Sequence, residues 1–250
     1  MHGAKPVAEN LVAHRGYQAN YPENTQLSLT KAIEAGARYI ELDVQFSRDQ
    51  LPIIYHDASL QRVSGCSGAV KRLERQQLLT YPAYEPARLG DLYVAEKIAP
   101  LEALVGILRD NPLVTAFVEL KEGSIKHCGR EHIIDSVQKI LKSVAAQTVL
   151  ISFDCQLAIA ARESNWPHVG LVLKRWTDLA AQDVAKVQPE YIFVNHRLIP
   201  SRVDLSACDQ LKDASLVAYE VGDSALAERL LARGVAMLES FDIGGLLAGK

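Results

Sequence analysis

Short extended runs alternate with helical patterns along almost the whole chain, and this alternation is what most constrains its fold. The first extended run is Leu11, Val12 and Ala13. Residues 24–36 then read as a helix, with Asn24 as N-cap and Gly36 just past its end. Leu27, Ile33 and Ala37 are expected on its apolar face. Further extended runs fall at 39–44, 114–120, 148–153, 168–173, 191–195, 216–221 and 235–238. Helical patterns separate most of them, at about 100–110, 130–146, 155–164, 177–187 and 224–233, with a weaker stretch at 206–213. Strands separated by helices predict a parallel sheet with right-handed crossovers. Eight such units in 250 residues fit a (β/α)8 TIM barrel, expected as one domain over 1–250. The alternative, a doubly wound open sheet, would place a Gly-rich phosphate loop after its first strand. Here that strand runs into His14, Arg15 and Gly16 instead. After Asp242 only eight residues remain, too few for a full closing helix.

One segment breaks the alternation. Residues 46–55 carry Ser47-Arg48-Asp49-Gln50 between two extended runs, a hairpin pattern. Residues 57–99 then hold Gly65, Gly68, Gly90 and prolines with little periodicity. This reads as a small irregular insertion between the second and third barrel strands, the kind of long excursion that carries function.

Composition excludes several classes. With 48% apolar and 23% charged residues the chain can bury a core, so disorder is not expected. Lys and Arg number 27 against 30 Asp and Glu, a net charge of -3, which leaves no footprint for nucleic acid. No apolar run approaches the ~18 residues of a membrane span. The first ten residues show no apolar leader, and Cys66, Cys128, Cys155 and Cys208 form no close pair. Reduced thiols and a cytoplasmic location are therefore expected. No segment marks an oligomer interface.

Barrel enzymes carry their chemistry at the C-terminal ends of the strands. Those ends supply His14 and Arg15, Glu41 and Asp43, Glu119 and Lys121, then Ser152, Lys174, Asn195, Glu220 and Glu239. Glu41 and Asp43 are two residues apart on a strand and share a face. With Leu42 and Val44 toward the helices, the carboxylates face the barrel axis. Glu119 and Lys121 repeat the pattern. Three converging carboxylates without a cysteine make a hard-oxygen site for Mg²⁺ or Ca²⁺. A Glu/Lys/Arg ion network filling the mouth is the competing reading. If the hairpin turns near Arg48-Asp49, antiparallel pairing sets His56 beside Glu41, in the layer where His14 emerges. Two imidazoles near a metal suit acid–base chemistry on a phosphate ester, and Arg15 can clamp a phosphate. His2, His127, His132 and His168 are placed in the tail, on helix surfaces or at a strand start without a role, and His196 as structural.

These residues resemble the glycerophosphodiester phosphodiesterases. The resemblance is carried by Ala13-His14-Arg15-Gly16, Pro22-Glu23-Asn24-Thr25, Glu41-Leu42-Asp43-Val44, His56-Asp57 and Val118-Glu119-Leu120-Lys121, in order. Ser152-Phe153, Asn195-His196 and the stretch 98–108 extend it to about residue 240. It implies a metal-dependent (β/α)8 hydrolase that cleaves glycerophosphodiesters to an alcohol and sn-glycerol 3-phosphate. It further implies His14 and His56 as general acid and base, and Glu41, Asp43 and Glu119 as ligands of one divalent ion, Mg²⁺ or Ca²⁺. Arg15 and Lys121 would contact the phosphate, and water or a neighbouring substrate hydroxyl would be the nucleophile. The chain departs late. An aromatic-Thr-Val-Asn pattern is replaced by Tyr219-Glu220-Val221-Gly222, and a Thr-Asp end by Glu239-Ser240-Phe241. Tyr219 is retained as a candidate contact to the glycerol. A phospholipase-like barrel acting on lysolipid or other phospholipid diesters, and a non-catalytic phosphate-binding barrel, are the alternatives.

Overall fold

The computed structural model of the chain describes residues 5–249, so His2 lies outside it. Eight parallel strands close into a barrel: β1 (Leu11–Ala13), β2 (Tyr39–Phe46), β5 (Thr115–Leu120), β6 (Thr148–Ser152), β7 (His168–Leu173), β8 (Tyr191–Asn195), β9 (Ser215–Tyr219) and β10 (Met237–Ser240). Closure comes from β1, which pairs in parallel with both β10 and β2. The remaining two strands, β3 (Pro52–Ile54) and β4 (Ala99–Pro100), add antiparallel to the outer end of β2 and to each other.

The strand alternation sorts side chains into two layers. Val12, Phe117, Val149, Val172, Phe193 and Val217 pack along the axis, with Phe117 and Phe193 edge-to-face at 4.9 Å. Ile40, Leu42, Val44, Val118 and Leu120 pack outward with the helix cluster. The expected orientation of Glu41 and Asp43 toward the axis follows from that parity. Removing a ring such as Phe117 from this filled interior costs about 3–5 kcal/mol.

The helix after β1 begins later than its sequence suggests. It spans Gln26–Glu34 and is capped by Thr25, whose hydroxyl accepts from Ser28 N at 3.1 Å while Ser28 Oγ accepts from Thr25 N at 3.3 Å. Asn24 is not the cap. It sits at φ 56°, and its amide is spent on Asp43, donating to Oδ2 at 2.8 Å and accepting from the backbone N at 3.0 Å. The buried face is Ser28, Leu29 and Ala32, so Ile33 and Leu27 lie at its margin. Gly36, at φ 104°, ends the helix as expected. Two short helices escaped the periodicity, Glu122–Cys128 and the closing Ile243–Leu247.

The hairpin turns close to the expected place, centred on Asp49, which shifts its cross-strand register by one residue. Val44 pairs with Ile54, and Tyr55 N donates to Asp43 O at 2.9 Å. Continued, this register sets His56 opposite Leu42 rather than Glu41. His127 and His132, given no role above, hold the turn from the helix side at Ser47 O (3.0 Å) and Gln50 O (2.8 Å). The insertion is less irregular than its composition suggests. Gln61–Ser64, Arg75–Leu78 and Pro86–Leu89 are helical turns, and Tyr55, Leu60, Val63, Leu78 and Ile98 give it a core of its own. All four cysteines are free, and among the described residues no helix is long and apolar enough to cross a membrane.

Candidate active site

The turn after β1 sets the first pair of groups. His14 N donates to Ser240 O at 2.8 Å, and Arg15 takes the left-handed conformation at φ 53° with its N donating to Glu41 Oε2 at 3.0 Å. Gly16 follows at φ 81°, where a Cβ would come within 2.5 Å of Ser28 Oγ, so only glycine fits. His14 is 8% exposed. Burial, helped by Arg15, pulls its pKa down to about 3, which keeps the imidazole neutral at pH 7.

His56 stands opposite on the end of the hairpin. Its Nδ1 lies 2.7 Å from Asp57 Oδ1, and Arg62 grips that carboxylate through Nε (2.8 Å) and Nη2 (2.9 Å). Burial pushes the Asp57 pKa up, but the hydrogen bonds from His56 and Arg62 outweigh it and hold the carboxyl below its ordinary value. With Nδ1–H donating to this carboxylate, Nε2 is the ring nitrogen left for other partners.

Between them lie the acidic groups. Asp43 is 1% exposed and meets Lys121 Nζ at 2.6 Å and Arg15 Nε at 3.2 Å. Burial opposes its charge, yet Lys121 and Arg15 hold its carboxyl well below the usual range. Glu119 accepts from the same Lys121 at 2.6 Å, but burial and Asp43 push its pKa up. Glu41 is pushed well up by burial, Asp43 and Glu239. Glu41, Asp43 and Glu119 can each offer one oxygen within 4.8 Å of the others, a spacing suited to one ion. Glu41 Oε1 is buried without a hydrogen bond, as an oxygen reserved for a cation would be. The three carboxylates thus fit the expected divalent metal. His14, Glu41 and Glu239 form a second such trio.

These groups border a cavity of about 110 Å³ together with Ile151, Phe153, Val172, Phe193, Tyr219 and Glu220. All eight predicted site residues converge here: Asp43 bonds to groups on its wall, and the other seven line it. Burial and nearby carboxylates push the Tyr219 pKa up to about 12, so it remains a hydroxyl donor. A larger cleft of about 780 Å³ includes Pro189 and Ala214, which precede β8 and β9, so it opens at the opposite end of the barrel.

Other strand ends are engaged within the fold. Ser152 Oγ donates to Leu120 O at 2.8 Å, Lys174 pairs with Glu122 at 2.6 Å, and Asn195 caps the turn that follows it. Sequence reasoning missed the supports. Glu23, 1% exposed, accepts from Arg15 (3.1 Å), Gln18 (2.8 Å) and Arg62 (2.6 and 2.7 Å). Its backbone N donates to Glu85 Oε2 at 2.8 Å, and Glu85 is itself gripped by Arg88. Pro22-Glu23-Asn24-Thr25 was visible as a motif, but no spacing links residue 23 to 62 or 85.

The chain matches the glycerophosphoryl diester phosphodiesterase family over residues 14–238. It is 25% identical over 236 residues to a glycerophosphodiester phosphodiesterase of Caldanaerobacter subterraneus, with 90% of both chains covered. It is 28% identical over 167 residues to a glycerophosphodiester phosphodiesterase of Bacillus altitudinis, spanning 65% of that protein's length. The fold matches the structure of an Oleispira antarctica phosphodiesterase in complex with sn-glycerol-3-phosphate, with TM-score 0.82, 21% identity and 96% of each chain covered.

Proposed function

The chain belongs to the glycerophosphoryl diester phosphodiesterase family, and from that premise we propose that it hydrolyses glycerophosphodiesters to an alcohol and sn-glycerol 3-phosphate. The observation that carries this reading is the convergence of His14 and His56 with Glu41, Glu119, Arg15 and Lys121 around one cavity.

In this mechanism His14 and His56 flank the phosphodiester. One accepts a proton from the nucleophile, either water or the substrate's neighbouring hydroxyl, and the other delivers a proton to the leaving alcohol oxygen. Asp57 orients His56 through Nδ1 and leaves Nε2 for proton transfer. Arg15 and Lys121 offset phosphoryl charge, each fixed by carboxylates so that little reorganisation is needed. Glu41, Asp43 and Glu119 would hold one divalent ion, Mg²⁺ or Ca²⁺, which would supply Lewis-acid polarisation of a phosphoryl oxygen. Tyr219 donates to the glycerol side. The small cavity suits a water-soluble head-group diester, such as glycerophosphocholine or glycerophosphoethanolamine, in a cytoplasmic setting.

A second reading, a phospholipid or lysolipid diesterase, draws on one observation. Leu92 and Val94 are 74% and 51% exposed on the insertion, whose Arg88 borders a cleft of about 470 Å³ shared with His14 and Arg15. A panel of glycerophosphocholine, glycerophosphoethanolamine and lysophosphatidylcholine separates the two, scored for glycerol 3-phosphate, lysophosphatidate and choline phosphate. Release of glycerol 3-phosphate from the soluble diesters is the expected result. Turnover confined to the lysolipid, or choline phosphate as product, would overturn the main reading.

A further inference from the structure

Four buried side-chain nitrogen or oxygen atoms make no hydrogen bond among the described residues: His14 Nδ1, Arg15 Nε, Glu41 Oε1 and Glu239 Oε1. Three of the four belong to one cluster, whose ligand atoms lie within 4.8 Å of one another. The residues are 8%, 2% and 4% exposed, so solvent does not satisfy these atoms. Buried polar groups are nearly always partnered, and an unpartnered buried carboxylate is among the costliest to keep. Glu41 Oε1 can be met by an ion between Glu41, Asp43 and Glu119, but His14 and Glu239, which share the second trio with Glu41, each keep an unpartnered buried atom besides.

Among the described residues Glu239 makes no ion pair, and Arg15, whose charge reaches it, is bound elsewhere. Arg15 is engaged by Glu23 and Asp43, and Lys121 by Asp43 and Glu119. Neither basic group pairs with Glu239. Glu239 reaches the cluster from β10, which pairs Val12 with Glu239 directly beneath His14. The backbone of the β1 turn is fixed by His14 N on Ser240 O, so the trio is held by the strand pair that closes the barrel.

We propose that His14, Glu41 and Glu239 form a second divalent-cation position, contiguous through Glu41 with the Glu41–Asp43–Glu119 position. The inference rests on the reading of those three carboxylates as a metal site. The donor sets differ. The first position offers only carboxylate oxygens, whereas the second adds an imidazole nitrogen, which favours a borderline ion such as Mn²⁺ or Zn²⁺ over Ca²⁺. A carboxylate shared between two ions is a recurrent arrangement where phosphate esters are cleaved. Ligation through His14 Nδ1 leaves Nε2 carrying its hydrogen, able to donate but not to accept, so with this position filled His56 is the base of the pair. The rival partner is a proton shared between Glu41 and Glu239.

Metal-free full-length protein titrated with Mn²⁺, with free Mn²⁺ read by electron paramagnetic resonance, decides between them. The expected result is two Mn²⁺ per chain in the wild type and one in Glu239→Gln, which keeps side-chain size. One Mn²⁺ per chain in the wild type overturns the second position and leaves the first intact. Two in both proteins removes Glu239 from it. None in the wild type overturns both metal readings together. The wild-type count stands even where Glu239→Gln does not fold, and Glu239→Ser provides a second variant.

Discussion

The two halves of the barrel mouth are built differently. β1, β2, β5 and β10 end in His14, Arg15, Glu41, Asp43, Glu119, Lys121 and Glu239, whereas β6, β7 and β8 present Ile151, Phe153, Val172 and Phe193 to the same cavity. The charged half is cross-braced by groups from outside the barrel strands, with Asn24 on Asp43, Glu23 on Arg15, and Arg62 and Asp57 behind His56. The apolar half needs no such bracing, because its side chains are continuous with the packed axis. Polar groups brought together in a dry site must each be positioned against a partner, while apolar walls need only shape. On the proposed function, chemistry falls to the charged half and substrate accommodation to the apolar one.

The sharpest way to break that contrast is to remove the divalent ion. Chelation should lower turnover of glycerophosphocholine by at least about 10³-fold, since such an ion contributes several kcal/mol to the transition state. Restoration on adding back Mg²⁺ or Ca²⁺ is the check, and unchanged turnover in chelator ends the metal assignment. Next in size, His14→Ala and His56→Ala should each lower kcat by about 10²–10⁴-fold, measured against unfolding curves that match the wild type. A loss under about threefold in either would remove that histidine from proton transfer.

A change in the apolar half tests the other side. Phe153→Ala should raise KM by about tenfold with kcat within about threefold, the pattern of lost uniform binding. A fall in kcat as large as that of the histidine variants would erase the distinction between the halves. The smallest effect is on stability. Asp57 is held below its ordinary pKa of 3.8. As pH falls, the unfolded chain therefore protonates this carboxyl first, so its contribution is present above pH 3.8 and lost below it. Urea unfolding from pH 7 to pH 3 should show a shallower acid loss for Asp57→Asn than for wild type. Equal slopes would place the His56–Asp57–Arg62 link outside the stability of the fold.

Legibility in the sequence followed the range of the interactions. The barrel was readable because each strand and helix writes its own periodicity, and Glu41, Asp43, Glu119 and Lys121 because an i, i+2 pair on a strand fixes a shared face. The β2–β3 register slipped by one residue because the turn spans Ser47–Leu51, closed by Ser47 N on Leu51 O at 3.1 Å, and no residue type in it marks the centre. Asn24 looked like a cap because Asn is a favoured cap residue, and only the fold shows Asp43 claiming its amide. Glu23, Arg62 and Glu85 were unreadable as a group for a different reason. Their contacts span 39 and 62 positions, and no local pattern encodes such pairings. Glu239 stands out in the sequence only as a strand-end departure, since its meaning depends on β10 standing next to β1.

The double grip of Glu23 has a consequence for exchanging parts between proteins. Its side chain is held by Arg62, and its backbone N by Glu85, both from the insertion. That insertion has its own core and joins the barrel sheet through the two short antiparallel strands, which makes it look like a replaceable module. It is not one in a chemical sense. A transplanted insertion lacking equivalents of Arg62 and Glu85 would leave Glu23 buried, charged and pulling on Arg15, and would deprive His56 of its oriented partner. Swapping loops to change specificity in this scaffold therefore means carrying those two side chains along, or replacing Glu23 at the same time.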